Sequence, residues 1–393
     1  MKGLWWIKRD FRIYDNQCLS TGLEECKELL PLFCWEKNVL AHDDYSPFHL
    51  QAQWQALHEL NRSLRVRGGG LLEECGEITE VLESLHKWYR FDVLYSHQET
   101  GNLVTYRRDL LVAKWCKASG VRWQEFNASS VLRGGTADTR RVKLRQVDYR
   151  RQNSLPVPQK LKPPEKLSQG ERLFCWSDLV KRFPKFEGSK PSPGLQKVSE
   201  KEAWQTIESF LHDRGQGYSG GISSPNHAFT NGSRLSPHLA WGTMSLRTVF
   251  QELDSRIIKL KEEKIRGGWL RSLHAFQSRL YWRDHFIQRL EAFPELEKLP
   301  LNPAYRNIPY QDDLGFLHAW LSGTTGFPMV DACMRCLAQT GFLNFRMRAM
   351  VVSFACFGLH LSWRLIHPPL AQRFLDYEPG IHLSQLQMQA GVI

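Results

Sequence analysis

The first third of the chain alternates short apolar runs with longer amphipathic segments. The apolar runs cover residues 3–7, 30–35 and 91–96 and are bounded by polar residues, a pattern typical of strands buried on both faces of a parallel sheet. Between these runs, residues 49–64 and 78–89 carry apolar positions at helical spacing. This alternation predicts an α/β fold with a doubly wound parallel sheet.

The pattern changes twice after that. Residues 129–200 are rich in proline and basic residues and show no sustained period, which predicts a long connection between domains. From residue 199 onward, successive segments have the 3.6-residue period of helices and none has a strand pattern. We therefore predict an α/β domain over residues 1–128, a linker over 129–200 and an all-α domain over 201–393.

Charge and composition narrow the class of protein. The chain has 52 Lys and Arg against 41 Asp and Glu, which favours nucleic acid as a partner but also fits an ordinary soluble surface. Nine cysteines without disulfide-like spacing indicate a reducing compartment, and Cys333 and Cys336 lie in a helical pattern, so we expect no metal site. The start lacks a signal peptide and the apolar run near residues 350–361 is too short to span a bilayer. We expect a soluble, cytoplasmic protein.

Two helical patterns follow each other between residues 326 and 357. The second begins near Asn344 and places Arg346 and Arg348 beside an almost wholly apolar run. An arginine so close to a buried run needs an anion or a carboxylate as its partner. This stretch is therefore either an ion-paired structural helix or part of an anion site.

Small and hydroxyl residues precede a proline in the segment from Asn231 to Pro237. Ser233 and Ser236 both lie in this segment, just before an expected helix start. Free backbone N–H groups and hydroxyls at such a start can bind an anion, although most sequences of this type only cap the helix.

A long helix is predicted over residues 269–293, and one of its faces is rich in aromatic and basic residues. Arg279, Trp282, Arg283 and Phe286 share that face at spacings of i, i+3, i+4 and i+7. Interleaved tryptophan and arginine suit stacking on a base and holding a phosphate. The alternative is an amphipathic helix whose tryptophan is simply packed.

The order of these motifs resembles that of the photolyase/cryptochrome family. GTTGFPMVDACMRCLAQTGFLNFRMRAM is similar to the flavin-binding signature of the family, LWWIKRDFRIYDN to its opening and FLDYEPGIHLSQLQMQ to a late motif. The resemblance covers almost the whole chain and implies an α/β antenna domain before a helical FAD-binding domain, with Arg12, Asp15 and Asn16 bracing the two. The family continues further, so we expect a helical domain that is incomplete at its C-terminus.

The resemblance implies FAD as the cofactor. The residues that match the FAD-binding set are Tyr218, Gly232, Ser233, Arg234, Leu235, Ser236, Arg348, Asp376, Glu378 and His382. In this match the loop before Pro237 holds the phosphates, Arg348 pairs with Asp376 beside the flavin ring, and Glu378 lies near the ring edge where aspartate is commoner. His382 stands where the family usually has an asparagine opposite flavin N5. A second, antenna chromophore of the folate or deazaflavin type is also compatible with the resemblance.

The resemblance also implies a DNA partner that contains pyrimidine dimers. Trp282 matches a tryptophan that stacks on the lesion, and Arg346 matches an arginine that contacts a phosphate beside it. With Arg279 and Arg283, these residues form the expected DNA-binding set.

The surface expected to face DNA departs from the family pattern at three positions. Arg279 stands where dimer photolyases usually carry glutamate, and a guanidinium cannot accept a hydrogen bond from thymine N3–H. Phe345 replaces an asparagine and Ala349 a methionine. We expect lesion recognition either to differ from the usual pattern or to be lost.

The tryptophan relay that reduces the flavin in the family is interrupted here. Trp363 matches its middle member, whereas Leu386 occupies the flavin-proximal position and Tyr310 the distal one. We expect Trp363 and Tyr310, together with Trp282, to be the residues closest to the chemistry, and Trp320 is one further candidate for the relay.

Three functions remain open from the sequence. The first is a monomeric lyase that uses blue light and reduced FAD to split pyrimidine dimers in DNA. The second is a cryptochrome-like photoreceptor that binds FAD without repair, which the altered residues Arg279, Phe345 and Ala349 favour. The third is a shortened, inactive member of the family.

Overall fold

The protein is described by a computed structural model that covers residues 1–164, 173–265 and 267–393, with all side chains in these ranges except those of residues 139–141. A five-stranded sheet forms the first part of the chain, and every pair of neighbouring strands in it is parallel. Its strands are β1 (Lys2–Ile7), β2 (Glu28–Glu36), β3 (Leu72–Gly76), β4 (Val93–His97) and β5 (Arg122–Phe126). They lie in the order β3-β2-β1-β4-β5, which confirms a doubly wound α/β fold.

Helices cover the faces of the sheet and make up the remainder of the fold. Around the sheet they are α1 (Gln17–Glu25), α2 (Lys37–Ala41), α3 (Pro47–Arg65), α4 (Ile78–Tyr89) and α5 (Leu103–Ser119). The next helices are α6 (Thr139–Arg151), α7 (Trp176–Lys181), α8 (Glu200–His212), α9 (Tyr218–Gly221), α10 (Ala228–Asn231), α11 (Ser236–Ala240), α12 (Leu246–Glu262) and α13 (Trp269–Ala292). The last ones are α14 (Leu314–Ser322), α15 (Pro328–Thr340), α16 (Phe345–Ser353), α17 (Trp363–Ala371) and α18 (Pro379–Gln389).

The three strands predicted from apolar runs are present, whereas β3 and β5 have no counterpart in the prediction. Both are edge strands, with the sequences LEECG and RWQEF. An edge strand is covered on fewer sides than a central one, so it carries polar residues and does not read as an apolar run.

Part of the segment predicted as a linker is helical. Helix α6 packs against α12 and α13, and Tyr149 from α6 belongs to the same apolar cluster as residues of those helices. Its sequence TRRVKLRQVDYRR is so basic that the helical period is faint, which explains the missing prediction. Residues 165–172 of the predicted linker lie outside the described part of the chain.

The described residues of the predicted all-α region form helices joined by turns and loops, with no strand among them. Helix α13 is its central element and packs against α18, α9, α12 and α6. Among the described residues no helix combines the length and apolarity needed to cross a bilayer.

The α/β and helical halves are joined by buried polar contacts from the segment between β1 and α1. The Arg12 guanidinium donates to the carbonyl of Gly242 at 3.0 Å, and Asp15 forms a buried ion pair with Arg247. Asn16 caps α1 through the N–H of Leu19 and donates to the carbonyl of Arg12, so its part in this junction is indirect.

Candidate functional site

A cleft of about 450 Å³ opens in the helical half between α13, α16 and α18. Its walls come from all three helices, from the loop before α11 and from the segment between α17 and α18. All ten residues that the sequence analysis assigns to FAD line this cleft: Tyr218, Gly232, Ser233, Arg234, Leu235, Ser236, Arg348, Asp376, Glu378 and His382. The fold thus brings together residues that are more than 160 positions apart in sequence.

Arg348 and Asp376 form an ion pair in the wall of the cleft. The Nη2 atom of Arg348 lies 2.6 Å from Oδ2 of Asp376, and its Nε donates to the carbonyl of Leu343 at 2.8 Å. The guanidinium also lies over the ring of Phe374, 4.1 Å from the ring centroid. Oδ1 of Asp376 is buried and has no protein partner in the described structure, so a ligand with an N–H donor would complete its hydrogen bonds.

The loop before α11 is held by Arg214. Its guanidinium donates to the backbone carbonyls of Gly232 and Ser233, the latter at 2.7 Å. Gln196 binds the carbonyl of Arg234 at 2.9 Å. Neither Arg214 nor Gln196 lines the cleft, so the carbonyls of this loop are engaged by residues outside it. The loop can therefore offer N–H groups and hydroxyls to an anion.

Gly232 occupies a position where a side chain would collide with the backbone. A Cβ atom there would lie 2.4 Å from the carbonyl oxygen of Ala228. The glycine thus lets the loop approach the end of α10 closely, which shapes this wall of the cleft.

Arg234 brings a positive charge into the cleft, and no acid among the described residues forms an ion pair with it. It stacks over Phe342 with 3.8 Å between the guanidinium carbon and the ring centroid, and its Nη1 atom is buried without a partner among the described residues. Burial lowers the pKa of Arg234 to about 10 because the charged form is desolvated. A diphosphate in the cleft would supply the missing counter-charge.

Glu378 is buried between two arginines. Its Oε2 atom lies 3.6 Å from Nη2 of Arg283 and 3.8 Å from Nη1 of Arg9, which comes from the end of β1. Burial raises the pKa of Glu378 above its ordinary value. Glu378 therefore ties the cleft to the α/β half.

His382 is enclosed by aromatic rings. Its ring centroid lies 5.1 Å from that of His367 and 5.3 Å from that of Tyr377, and its Nε2 atom has no partner among the described residues. Burial holds the pKa of His382 well below its ordinary value, so the ring is neutral at physiological pH. A neutral imidazole can offer a ligand either a donor or an acceptor.

The mouth of the cleft carries exposed aromatic and basic side chains. Trp282 is 47% exposed and stacks on Phe286 with 5.7 Å between ring centroids. Arg279 lies over Phe345 at 5.6 Å, and Phe345 is itself 42% exposed. A flat, partly apolar surface with one guanidinium suits a planar aromatic ligand that carries negative charge.

The other two arginines expected to bind DNA differ in their surroundings. Arg283 lines the cleft, but it is bound to Asp284 at 3.0 Å, to Glu378 and to the carbonyl of Leu239. Its charge is thus balanced within the protein, and contact with DNA stays a prediction for this residue. Arg346 is exposed on α16, does not line the cleft and has no ion-pair partner in the described part of the chain.

The two residues proposed for an electron relay do not line the cleft. Trp363 is fully buried in the core of the helical half, and its indole Nε1 lacks a hydrogen-bond partner among the described residues. Tyr310 is half-buried and packs against the same cluster. Leu386, at the flavin-proximal position, does line the cleft.

Sequence reasoning missed three residues that shape this site. The role of Arg214 depends on a fold that brings its guanidinium to the carbonyls of Gly232 and Ser233, 18 and 19 positions away. Phe374 and Tyr377 flank Asp376 in the late motif. Their proximity to the acid was a signal in the sequence, but their orientation was not.

A second crevice lies at the carboxyl end of the strands in the α/β half. Its volume is about 50 Å³, and Arg108 spans it with ion pairs to Glu36 at 2.9 Å and Glu99 at 2.6 Å. As the side chains stand, the crevice has no room for the ring system of a folate or a deazaflavin.

Comparisons with known proteins agree with this architecture. Residues 3–150 match the family model described as DNA photolyase, and residues 276–393 match the model described as FAD binding domain of DNA photolyase. A cryptochrome DASH of Gloeobacter violaceus is 26% identical, and the match covers 99% of this chain and 79% of the relative. A deoxyribodipyrimidine photo-lyase of a Synechococcus species is 25% identical over 95% of this chain and 78% of its own length.

Two solved structures share the fold. A cryptochrome from Synechocystis sp. PCC6803 superposes with a TM-score of 0.84 at 21% identity, covering 100% of this chain and 82% of that one. An archaeal photolyase from Sulfolobus tokodaii, solved with two FAD molecules, gives a TM-score of 0.77 at 22% identity and covers 100% and 83% of the two chains.

Proposed function

Because the chain belongs to the photolyase/cryptochrome family, we propose that it binds FAD in the cleft of its helical half and uses blue light to split pyrimidine dimers in DNA. The observation that carries this proposal is a single cleft with the Arg348–Asp376 pair in its wall and the exposed Trp282 at its mouth. The end of the cleft at the Arg348–Asp376 pair suits a flavin ring, and the end at Trp282 suits a nucleobase.

The residues of the cleft fit FAD in two respects, the volume they enclose and the polar atoms they leave without a partner. The volume of about 450 Å³ is typical of a ligand pocket, and the unpartnered atoms comprise an acceptor on Asp376, a donor on Arg234 and a ring nitrogen on His382. We assign the flavin ring to the Arg348–Asp376 side and the phosphates to Arg234 and the loop before α11. When bound, reduced FAD supplies the absorption of blue light and the electron that opens the dimer.

The protein residues bind and orient the substrate. Trp282 offers an exposed ring on which a flipped base stacks, and Arg279 and Arg346 supply charges for the phosphates beside it. A dimer is easier to extrude from the duplex than an intact pair because its stacking is already weakened. The net charge of +11 supports attraction to DNA.

The alternative is a photoreceptor that binds FAD without repair. A specific observation favours it: the described acids that line the cleft are Asp376 and Glu378, and both are engaged in ion pairs. Because the free oxygen of Asp376 is assigned to the flavin and Glu378 lies between two arginines, neither carboxylate is dedicated to the N–H groups of a thymine dimer. The curated relatives include proteins of both names.

One experiment separates the two functions. The protein is illuminated with blue light, its flavin reduced beforehand, in the presence of an oligonucleotide that contains one dimer, and the repaired strand is quantified. We expect repair by the wild type and a loss of dimer binding in Trp282→Ala, with Kd rising by roughly tenfold or more.

The matched control is Trp88→Ala, which removes a tryptophan that is 44% exposed in the α/β half. We expect this variant to bind and repair like the wild type. If the wild type binds FAD but repairs no dimer, the photoreceptor function would be supported and the repair function contradicted. Absence of FAD from the purified protein would contradict both.

A further inference from the structure

Tyr377 is one of three readily oxidised side chains that line the cleft, together with Tyr218 and the exposed Trp282. Trp363 is fully buried and does not line the cleft, and Leu386, which does, cannot be oxidised. Tyr377 lines the cleft and also lines the crevice of the α/β half. It therefore spans the wall between the two cavities.

The phenol of Tyr377 is hydrogen-bonded to a carboxylate. Its hydroxyl donates to Oδ2 of Asp44 at 2.6 Å, and Tyr377 and Asp44 are 3% and 2% exposed. Asp44 also accepts from Asn102 at 3.0 Å and lies 2.7 Å from Nδ1 of His42. The carboxylate thus lies against the phenol oxygen through Oδ2, while its other oxygen forms the ion pair with His42.

The ring of Tyr377 lies among neutral aromatic groups. His49 stacks on it with 5.5 Å between centroids and an angle of 15°, and His382 meets its plane edge-on at 5.3 Å. Burial holds the pKa of His49 down, to about 4, because the charged imidazole is desolvated. Neither imidazole thus places a positive charge against the phenol at neutral pH.

We propose that Tyr377 is the residue that gives an electron to the light-excited, oxidised flavin, with Asp44 as the acceptor of its proton. The inference rests on the proposed function, since it needs FAD in the cleft. One electron leaves the phenol for the flavin, the O–H bond breaks and its proton passes to Oδ2 of Asp44. The products are a neutral tyrosyl radical, a carboxylic acid at Asp44 and a flavin that holds one more electron.

The hydrogen bond is what makes this step favourable. Loss of an electron turns a phenol into a much stronger acid, and an acceptor 2.6 Å away takes the proton without any rearrangement. Trp363 has no such neighbour, because its Nε1 lacks an acceptor among the described residues. Charge separated through Tyr377 is therefore held longer than charge separated through Trp363.

The test is Tyr377→Phe, which keeps the ring and removes the hydroxyl. Photoreduction of bound oxidised FAD is followed by absorbance, and the radical by electron paramagnetic resonance with ring-deuterated tyrosine. In the wild type we expect a tyrosyl signal that narrows on deuteration and a slower reduction in D₂O. In Tyr377→Phe we expect that signal and that isotope effect to disappear and the rate to fall by about tenfold or more.

Two further variants complete the design. Asp44→Asn keeps the shape of the acceptor but cannot take a proton, so we expect a slower reduction with a shortened radical lifetime. Tyr149→Phe is the matched control, because Tyr149 is also buried but donates to the carbonyl of Ala128 and does not line the cleft. We expect it to behave like the wild type.

The outcomes distinguish this inference from the function on which it rests. Suppose that Tyr377→Phe binds FAD, that its flavin is reduced at the wild-type rate and that the radical signal is unchanged. This result would overturn the role of Tyr377 and leave the flavin site intact. A wild-type protein that holds no FAD would overturn the proposed function itself.

Discussion

The Arg348 guanidinium shows how one residue in the cleft depends on another. It lies over Phe374 and is balanced by one carboxylate, that of Asp376, which is 8% exposed. Removing one partner of such a pair costs more than the pair contributes, because the other charge stays behind without compensation. Loss of the Asp376 carboxylate is therefore expected to change the charge of the site and also to lower the stability of the fold.

We predict that Asp376→Asn weakens FAD binding by about tenfold or more and lowers the free energy of unfolding by about 1–3 kcal/mol. The amide keeps the shape but loses the charge that balances Arg348. The flavin content of the purified protein and its Kd for added FAD check this. Asp254→Asn is the control, since it removes an acid paired with Arg150 at 3.6 Å outside the cleft. Equal flavin content in both variants would contradict the prediction.

At the scale of elements, the loop before α11 depends on a residue that does not touch the cleft. Arg214 binds two of its carbonyls and is itself fixed by the Ser209 hydroxyl at 2.8 Å. A planar guanidinium can donate to several acceptors at once, and an ammonium group cannot reproduce this geometry. Replacing the guanidinium of Arg214 by an ammonium group keeps the charge but loses this geometry, so the loop should lose its conformation.

We predict that Arg214→Lys reduces FAD affinity by roughly tenfold while the helices around it remain folded. Titration with FAD gives the affinity, and circular dichroism checks the helices. Arg256→Lys serves as the control, because Arg256 donates to the carbonyl of Leu211 at 3.0 Å and does not line the cleft. If both variants bind FAD like the wild type, Arg214 does not determine the conformation of the loop before α11.

The same scale shows what the sequence could and could not predict. Central strands and long amphipathic helices are readable because burial imposes a period on them. Edge strand β3, with Glu73 and Glu74, carries no such period, and neither does the basic helix α6. Residues that line the cleft could be named from sequence motifs. The role proposed for Tyr377 could not, because it depends on a hydrogen bond to Asp44, which is 333 positions away. A contact of that length leaves no local pattern.

At the scale of the whole molecule, the two halves meet at Gly242. Its φ of +64° lies in the left-handed region, and a Cβ atom there would be 1.8 Å from the carbonyl oxygen of Arg9. Its own carbonyl accepts from Arg12. The glycine is required for its backbone angle and also for the close approach of the two halves.

We predict that Gly242→Ala lowers the free energy of unfolding by about 2–4 kcal/mol, since it adds a backbone clash to the cost of the left-handed conformation. Gly120→Ala is a matched control, because Gly120 has a φ of +70° but a Cβ atom added there would meet no described neighbour within 4 Å. For Gly120→Ala we expect the free energy of unfolding to fall by only about 1 kcal/mol. Denaturant unfolding measures both, and equal losses would mean that Gly242 is not a contact point.

The junction of the halves also makes stability depend on pH through His42. Its Nδ1 lies 2.7 Å from Asp44 and its Nε2 lies 3.5 Å from Glu297, which belongs to the helical half. Hydrogen bonds to these two acids raise the pKa of His42 to about 10 from an ordinary value of 6.5. A raised pKa means that the folded state binds the proton more tightly, so the stabilisation is complete below pH 6.5 and is lost as the pH rises to about 10.

We therefore expect the wild type to lose about 1–2 kcal/mol of unfolding free energy from this group between neutral and strongly alkaline pH, a figure reduced for the partial solvent exposure of His42. His42→Gln keeps a hydrogen-bond donor but cannot carry the charge, so its stability should be lower at neutral pH and flatter across that range. His274→Gln, at an exposed position on α13, should follow the wild-type slope. Urea unfolding at a series of pH values measures all three, and a wild-type slope in His42→Gln would show that the charge on His42 does not join the halves.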